Sequence, residues 1–445
     1  MVAKIREEED VFDLSDVDME VSPRKKKKAT ASKTIATPRY EFEPSEIETI
    51  AKNAIAKLPS LKTEMAQSLF EREEVITDIL RALIAGENVL LLGPPGTGKT
   101  MLAETLGKHI ESANLFKWLM NRTTDPSDII GPYSIKGMEV DRFRRVLKGK
   151  AADSEFVFLD EIFKSNEPSL NILLSMLNEG YVYNDGVQVQ IPLRMAIGAS
   201  NEFPESEDLE AFYDRFIFRH WIDYIQEAQN RIDMGRSARK LAASVLSPTQ
   251  LTLKEVDALQ EYVKTIKFPA NIEKNYDRLI RTLKSSYGIS VSDRRYTKGQ
   301  RVMMANAVLH GRDAVNANDF EALKFVLWNR DKEEINKVEK ELTKYKDPHE
   351  AKIKEYVGKA KEVMDKVLAI TERIDRVGEA VDANSVIEDI LRKMDKEIED
   401  AKRSGAQTDK LEVMVKEVEG MIDRITNECL RSTNGRKRDW STNQS

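Results

Sequence analysis

The residues with the clearest chemical potential lie in LLLGPPGTGKT, at positions 90–100. This apolar run leads into the pattern G-x-x-x-x-G-K-T, and a helix-forming sequence, MLAETLGKHI, follows it. Glycines in such a turn let backbone N–H groups converge on phosphate oxygens, while Lys99 can reach the outer phosphates and the Thr100 hydroxyl can ligate Mg²⁺. We therefore predict a site for nucleotide phosphates and Mg²⁺ that is formed by Gly93, Pro94, Pro95, Gly96, Thr97, Gly98, Lys99, Thr100 and Met101.

Two further apolar runs end in polar residues that suit phosphoryl transfer. FVFLDE ends in Asp160 and Glu161, and IGASN ends in Asn201. Because parallel strands bring their carboxyl ends to one edge of a sheet, Asp160 would hold Mg²⁺ there through water and Glu161 would polarise the attacking water. The amide of Asn201 would orient the same water or contact the γ-phosphate. Acidic pairs and asparagines also simply end strands, but the nearby phosphate loop favours the catalytic interpretation.

The segment AFYDRFIFRH, positions 211–220, carries two arginines four positions apart. If it is helical, Arg215 and Arg219 share a face, and because cores rarely bury two arginines, that face would meet the nucleotide of another subunit. An arginine that approaches the transferred phosphoryl group in trans accelerates hydrolysis by roughly 10³–10⁵. We predict this role for Arg215, whereas Arg219 either assists it or pairs with a nearby carboxylate.

A further pair of arginines opens the segment SDRRYTKG, which begins at position 292. Arg294 and Arg295 lie at the predicted N-terminal end of a helix, where the helix dipole disfavours a cation. Their presence there therefore requires an anion, which bound nucleotide would supply. We predict that Arg294 contacts the nucleotide, with Arg295 as the alternative.

The elements that must position these residues follow from the apolar pattern. Strands are predicted at Val89–Leu92, 155–161 and 193–201, with helical sequence before and between them. Strands that alternate with helices indicate an α/β fold, in which helices cover both faces of a parallel sheet. Residues 225–330 have helical patterns and predict a second, helical domain.

Beyond Asp331 the strand signals vanish, and apolar residues recur at alternating spacings of four and three. The apolar stripes cover 353–374, 387–398 and 411–429, with breaks predicted at DANS (382–385) and at RSGAQTD (403–409). Ser385 and Glu388 have the spacing of a capping box. We therefore predict a C-terminal triple-helical region over 331–432, formed by three antiparallel helices or a coiled-coil arm, in which the stripes serve packing.

Composition limits the possible functions. The chain has a formal charge of −6, so its bulk electrostatics do not favour nucleic acid, and 33% charged residues suggest long solvated helices. Its single cysteine, Cys429, excludes a disulfide within the chain, and no apolar run reaches the roughly 18 residues of a membrane span. A cytoplasmic protein is expected. Residues 1–43, which include SPRKKKK, and residues 433–445 are predicted to be disordered charged tails.

With these elements in this order, residues 44–330 resemble the AAA+ ATPases, and more narrowly the RavA branch of the MoxR family. GPPGTGKT and FLDE are shared by much of the superfamily. More specific are FKWLMNRTTDPSDIIGPYSIKG, VFLDEIFKSNEPSLNILLSMLNEG, the hairpin YVYNDGVQVQIPLR with its Asn184-Asp185-Gly186 turn, ASNEFPESEDLEAFYDRF, SDRRYTKG and the pair Leu327-Trp328.

The resemblance implies an α/β nucleotide-binding domain over 44–224 and a helical lid domain over 225–330. It also implies a homo-hexamer that hydrolyses ATP with Mg²⁺ at subunit interfaces and remodels proteins as a chaperone does, commonly with a von Willebrand A-domain partner. The family's catalytic roles fall on Glu161, on Asn201 as first sensor, on Arg215 as arginine finger and on Arg294 as second sensor. The C-terminal third departs from RavA, because it contains helices and no β insertion.

Two other functions remain open from the sequence. The first is a nucleic-acid-dependent AAA+ motor, which SPRKKKK would favour and which the hairpin Tyr181–Gln190 disfavours, because it has no lysine or arginine to contact phosphates. The second is a nucleotide-gated scaffold, whose C-terminal helices recruit partners while turnover is incidental. The client protein is not identified by any of these patterns.

Overall fold

The structure is a computed structural model that describes residues 39–204, 207–240, 248–345, 348–370, 373–403 and 408–430. The predicted C-terminal tail, and the predicted N-terminal tail up to residue 38, lie outside these ranges. Within them, no helix combines the length and the apolar character needed to cross a lipid bilayer.

A five-stranded parallel sheet forms the centre of the nucleotide-binding domain. Its order is β3-β4-β7-β1-β8, so the three predicted strands are confirmed as the adjacent strands β4, β7 and β1. Every residue of β1 is buried, as expected for a strand covered on both faces. The strands of the described residues are β1 Asn88–Leu92, β2 Ile110–Glu111, β3 Leu115–Leu119, β4 Phe156–Asp160, β5 Tyr181–Asn184, β6 Val187–Gln190, β7 Met195–Ser200, β8 Phe216–Trp221 and β9 Leu251–Thr252.

Helices flank the sheet, form the lid domain and build the C-terminal region, which confirms the predicted fold class. The lid and the sheet share one hydrophobic core, in which Trp328 is fully buried. The helices of the described residues are α1 Pro44–Ala66, α2 Glu73–Ala85, α3 Lys99–Lys108, α4 Pro126–Ile130, α5 Ile135–Met138, α6 Glu167–Glu179, α7 Glu207–Tyr213, α8 Ala228–Lys240, α9 Leu253–Tyr262, α10 Ala270–Tyr287, α11 Asp293–Leu309, α12 Lys332–Leu342, α13 Pro348–Leu368, α14 Arg373–Arg403 and α15 Asp409–Ile425.

The conditional helical interpretation of 211–220 holds only for residues 211–213 and is wrong for the part that contains both arginines. Helix α7 ends at Tyr213, and the chain continues as strand β8, which pairs with β1. The aromatic and β-branched run Phe-Ile-Phe fits a pleated strand between buried layers. Consequently Arg215 lies in the turn before β8 and Arg219 lies within the strand, and the two arginines do not share a helix face.

The C-terminal region contains the three predicted helices, but one predicted break is wrong. Helix α14 continues through DANS, because Ala380, Ala383, Ile387 and Ile390 keep one apolar stripe buried across it. The first break instead falls between α13 and α14. The second is confirmed at Thr408, which lies within the predicted RSGAQTD and is not helical, directly before α15. Helices α13, α14 and α15 pack together around a hydrophobic core that is separate from the core of the sheet and the lid.

Candidate functional site

The predicted phosphate loop joins β1 to α3, with tight backbone turns at its glycines. Gly93 has a φ of 138°, and a Cβ there would lie 2.1 Å from the carbonyl oxygen of Ile222. Gly98 has a φ of 86° and directly precedes α3, so the N-terminus of that helix faces the loop. These glycines therefore make a bare backbone turn that suits phosphate. The cleft beside it encloses about 540 Å³ and is lined by Pro95, Gly96, Thr97, Gly98, Lys99, Thr100, Met101, Glu104, Asp160, Glu161 and Asn201.

A hydrogen-bonded chain connects three of the predicted site residues. The Lys99 ammonium donates to Asn201 Oδ1 at 2.9 Å, as well as to the backbone carbonyl oxygens of Gly93 and Pro94. Asn201 Nδ2 in turn donates to Glu161 Oε1 at 2.5 Å. The structure therefore brings the loop lysine, the strand-end amide and the second carboxylate together, as the sequence predicted they would lie.

The two carboxylates at the end of β4 have different surroundings. Burial raises the pKa of Asp160, opposed by the backbone N–H of Glu161, which donates to Asp160 Oδ1 at 3.0 Å. Glu161 has a φ of 52°, an uncommon backbone conformation for a residue other than glycine, and its Oε2 lies 3.2 Å from the Lys164 ammonium. The backbone turn thus directs the two carboxylates of adjacent residues differently.

The donors in this cleft fit a Mg·nucleotide. Burial lowers the pKa of Lys99, while Asp160 and Glu161 counteract that shift. The Thr100 side chain is exposed to the same cleft as the Asp160 carboxylate. A hydroxyl and a carboxylate are the oxygen ligands that Mg²⁺ takes in nucleotide sites, where it keeps several waters.

The linker between α1 and α2 also contacts the phosphate loop, which sequence reasoning did not anticipate. Arg72 is buried and donates to the carbonyl oxygens of Thr97, in the loop, and Asp223. Glu71 accepts hydrogen bonds from the backbone N–H groups of Gln226 and Glu227, just before α8, and these bonds lower its pKa. The only sequence signal for this contact was the adjacent acidic and basic pair, Glu71 and Arg72, directly before a helix.

The predicted arginines lie in a second cleft, which also encloses about 540 Å³. Arg215 and Arg294 both line it, together with Glu87 and Asn88 at the start of β1 and Lys298 on α11. Burial lowers the pKa of Arg215, and the neighbouring positive charge of Arg294 lowers it further. Two guanidinium groups that repel each other in one cleft favour an anion there.

Asp214 is the carboxylate that organises this arginine group, and sequence reasoning missed it. Its Oδ2 lies 3.7 Å from Arg294 Nη1, and its Oδ1 lies 3.3 Å from Arg295 Nε. It also accepts a hydrogen bond from Ser292, the N-cap of α11. Asp214 therefore connects the turn before β8 to the lid helix. Its position directly before Arg215 was the available signal.

The two rival arginines, Arg219 and Arg295, are structural. Arg219 is 1% exposed, donates to the Phe216 and Trp328 carbonyl oxygens, and lies over the Tyr213 ring at 4.3 Å. Among the described residues it pairs with no carboxylate, so that expectation is wrong. Arg295 donates to the Trp328 carbonyl oxygen at 2.9 Å, and burial lowers its pKa to about 9.

The two clefts lie at opposite edges of the same sheet. The phosphate loop, Asp160 and Asn201 follow the carboxyl ends of β1, β4 and β7, whereas Arg215 precedes the amino end of β8, which runs parallel to β1. The five residues of β1 span about 16 Å between the edges. An arginine side chain cannot cover that distance, so Arg215 does not reach the phosphate loop of its own chain.

A parallel sheet with a phosphate loop, a strand-end acid pair and a helical lid defines an AAA+ protein. Residues 56–261 match the MoxR domain of MoxR-vWA-beta-propeller ternary systems, and residues 266–342 match an AAA lid domain. Two uncharacterized proteins of Methanocaldococcus jannaschii are similar. One is 35% identical over 274 residues, which are 61% of this chain and 70% of the relative. The other is 34% identical over 292 residues, which are 64% of this chain and 75% of the relative. The chain belongs to the MoxR-type AAA+ ATPases.

Two more distant similarities add detail. A structural protein of Acidianus two-tailed virus is 30% identical over 188 residues, which are 41% of this chain and 30% of the viral protein. A crystal structure of a candidate ATPase from Cytophaga hutchinsonii superposes with a TM-score of 0.54 and 19% identity, covering 64% of this chain and 89% of the other. At that identity the superposition bears on the fold alone.

Proposed function

We propose that this protein hydrolyses Mg·ATP at sites shared between neighbouring copies of the chain, in a closed homo-oligomeric ring. The observation that carries this proposal is the separation of the two clefts. One cleft contains the phosphate loop and the acid pair, and the other contains the two arginines that suit the charge of the transferred phosphoryl group. A head-to-tail arrangement of copies would place the arginine cleft of one against the phosphate loop of the next.

The chain's own residues then have distinct roles in the reaction. Lys99 exchanges the carbonyl oxygens of Gly93 and Pro94 for phosphate oxygens, and Asn201 orients the carboxylate of Glu161. Glu161 accepts a proton from the attacking water. At the same time the water oxygen bonds to the γ-phosphorus, and the bond between that phosphorus and ADP breaks. Thr100 and Asp160 would hold Mg²⁺, which neutralises charge on the phosphates when bound. Arg215 and Arg294 of the neighbouring copy stabilise the negative charge of the transition state.

We further propose that turnover remodels a protein complex in the manner of a chaperone, with a hexameric ring, a von Willebrand A-domain partner and a cytoplasmic location. Support for the partner comes from the matched family model, whose MoxR domain belongs to ternary systems with vWA and β-propeller components. Assignment to the RavA branch rests on the sequence resemblance. The C-terminal third departs from RavA by lacking a β insertion, and the described residues after Asp331 contain no strand.

The first test of this proposal is Arg215→Ala. We expect ATP binding to stay close to that of the wild type, while hydrolysis falls by roughly 10³–10⁵, because the arginine acts on the transition state. The matched control is Arg281→Ala, which removes an exposed arginine on α10. Unchanged turnover in assembled Arg215→Ala protein would refute the shared site.

The second test is capture of the client. Glu161→Gln protein with ATP, purified by affinity, should retain a protein client and a von Willebrand A-domain protein, because the ring stalls before hydrolysis. Recovery of nucleic acid alone would favour the motor alternative. If Glu161→Gln leaves partner binding and cellular function intact while Lys99→Ala abolishes them, the protein is a nucleotide-gated scaffold.

A further inference from the structure

The turn that follows β7 carries a phenyl ring that the proposed reaction does not use. Phe203 lies two residues after Asn201, and Pro204 follows it directly. The Asn201 amide bridges the Lys99 ammonium and the Glu161 carboxylate. Proline restricts the residue before it to extended backbone conformations. The chain therefore has little freedom between the Phe203 ring and the Asn201 amide.

The same turn is closed by a single hydroxyl and joined to the phosphate loop. Ser200 Oγ accepts a hydrogen bond from the Glu202 backbone N–H at 3.1 Å and donates to the Glu202 carbonyl oxygen at 2.9 Å. The Ser200 carbonyl oxygen accepts from the Gly93 backbone N–H at 3.1 Å. Because the turn is short and hydrogen-bonded within itself, a displacement of the Phe203 ring would also move the Asn201 amide.

Phe203 packs against two tryptophans from different parts of the fold. Its ring centre lies 5.6 Å from that of Trp221 at an interplanar angle of 21°, which is a stacked arrangement. It lies 6.2 Å from the ring centre of Trp328 at 87°, which is an edge-to-face arrangement. Aromatic pairs favour both geometries. Trp221 ends β8, whereas Trp328 lies within the matched lid domain, so one ring on the Asn201 turn contacts both the sheet and the lid.

The two tryptophans are held in different ways. Trp328 is fully buried, and its Nε1 donates to the Arg219 carbonyl oxygen at 2.7 Å. Trp221 Nε1 is also buried, but it donates to no group within the described part of the chain. Packing therefore positions the Trp221 indole, and Phe203 supplies one of its contacts.

A lysine of the lid supplies another contact of the same indole. The Lys332 ammonium lies 3.4 Å from the centre of the Trp221 ring. Lys332 is the first residue of α12, where the helix dipole disfavours a cation, and the cation–π contact offsets that effect. The matched lid domain includes α12. The lid thus contacts the aromatic cluster of Phe203, Trp221 and Trp328 from two positions.

We propose that Phe203 is a positioning residue for ATP hydrolysis. Packed against Trp328, it holds the Asn201 amide where that amide orients the Glu161 carboxylate, so activation of water depends on contact between the lid and the sheet. Phe203 is not among the described residues that line the phosphate-loop cleft, so it acts through Asn201 and not by touching the nucleotide. The inference rests on the proposed ATP hydrolysis, because it assigns a further residue to that reaction.

The test compares Phe203→Ala and Phe203→Tyr with the wild type in assembled full-length protein. Single-turnover hydrolysis gives the rate constant, and equilibrium binding of a fluorescent ATP analogue gives the affinity. We expect Phe203→Ala to lower the rate constant by about 10- to 100-fold, because a shift of about 1 Å misplaces Glu161. ATP affinity should change by less than about threefold, since the loop keeps its phosphate contacts. Phe203→Tyr retains the ring and should stay within about threefold of the wild-type rate.

A double-mutant cycle separates positioning from a loss of stability. If Phe203 acts through Asn201, Phe203→Ala should lower the rate little further once Asn201→Ala has removed the amide. Two losses that multiply, or a loss that the fraction of unfolded protein accounts for, would overturn the positioning role. Phe268→Ala is the matched control, because Phe268 is a half-buried ring that packs on the same core, just before α10. Its rate per folded subunit should match the wild type.

The dependence on the lid is tested at Lys332. Lys332→Met removes the cation from the Trp221 ring, and the rate constant should fall by about two- to fivefold with ATP affinity unchanged. The matched control is Lys340→Met, which replaces another exposed lysine of α12 and should leave the rate constant unchanged. A wild-type rate in Lys332→Met protein would overturn the dependence on the lid.

Failure of this inference and failure of the proposed function give different results. Wild-type protein that does not hydrolyse ATP overturns both. Wild-type turnover together with a Phe203→Ala rate within about threefold of it overturns the positioning role alone. A loss of ATP affinity in Phe203→Ala as large as its loss of rate would show that the ring supports nucleotide binding, and that result also overturns the positioning role.

Discussion

The phosphate-loop cleft and the arginine cleft enclose the same volume, about 540 Å³, but they balance charge differently. In the first, Lys99 faces two carboxylates, and Asn201 bridges it to Glu161. In the second, burial lowers the pKa of Arg215, and the neighbouring positive charge of Arg294 lowers that pKa further. The first cleft therefore contains both a cation and carboxylates from a single chain, whereas the second favours an anion from another molecule.

The largest effect is expected for Lys99→Ala, which removes the cation of the first cleft. We expect ATP affinity to fall by about 10³-fold and hydrolysis to be lost, because several charge-assisted hydrogen bonds to phosphate disappear together. Equilibrium binding of a fluorescent ATP analogue measures the change. The control is Lys344→Ala, which removes an exposed lysine directly after α12. ATP affinity within a factor of a few of the wild type would contradict the assigned role of Lys99.

A smaller effect on rate, with binding retained, is expected for Glu161→Gln. Loss of a general base costs about 10²–10³-fold in kcat, while the amide still accepts from Asn201 Nδ2 and keeps the cleft intact. Single-turnover hydrolysis and ATP affinity separate the two quantities. Glu111→Gln, an exposed residue of β2, is the control. A parallel loss of ATP affinity would show that Glu161 holds the nucleotide instead.

The smallest effect on catalysis is expected for Arg219→Leu, which contrasts with Arg215→Ala. Arg219 satisfies buried carbonyl oxygens, so its loss should lower the free energy of unfolding by about 1–3 kcal/mol and leave hydrolysis per folded subunit nearly unchanged. Chemical denaturation and ATPase assays on the same preparation check both expectations. A catalytic defect as large as that of Arg215→Ala, with the free energy of unfolding unchanged, would indicate that Arg219 acts at the subunit interface.

Much of the first cleft could be predicted from sequence, because its residues lie at fixed positions next to strong local patterns. The apolar runs before Gly93, Asp160 and Asn201 define β1, β4 and β7, and parallel pairing brings their carboxyl ends together. Local patterning therefore sufficed to locate both the strands and the edge of the sheet that carries the phosphate loop.

The second cleft and its surroundings depend on contacts distant in sequence. The sequence did not predict strand β8, because Arg219 and His220 interrupt its apolar pattern. Their partners are distant in sequence: Arg219 donates to the Trp328 carbonyl oxygen, and His220 lies beside the Asp78 carboxylate. Likewise, DANS has a helix-capping spacing, but packing of Ala383 and Ile387 continues α14 through it. Tertiary contacts in these places override local preferences.

The separation of the clefts is tested most directly by mixing two inactive variants. Lys99→Ala subunits retain the arginine cleft, and Arg215→Ala subunits retain the phosphate loop. Co-expressed with different affinity tags, so that mixed assemblies are purified by both, they should recover about a quarter of wild-type ATP hydrolysis, since about one interface in four pairs two intact halves. Mixed assemblies that stay as inactive as either variant alone would contradict a site shared between subunits.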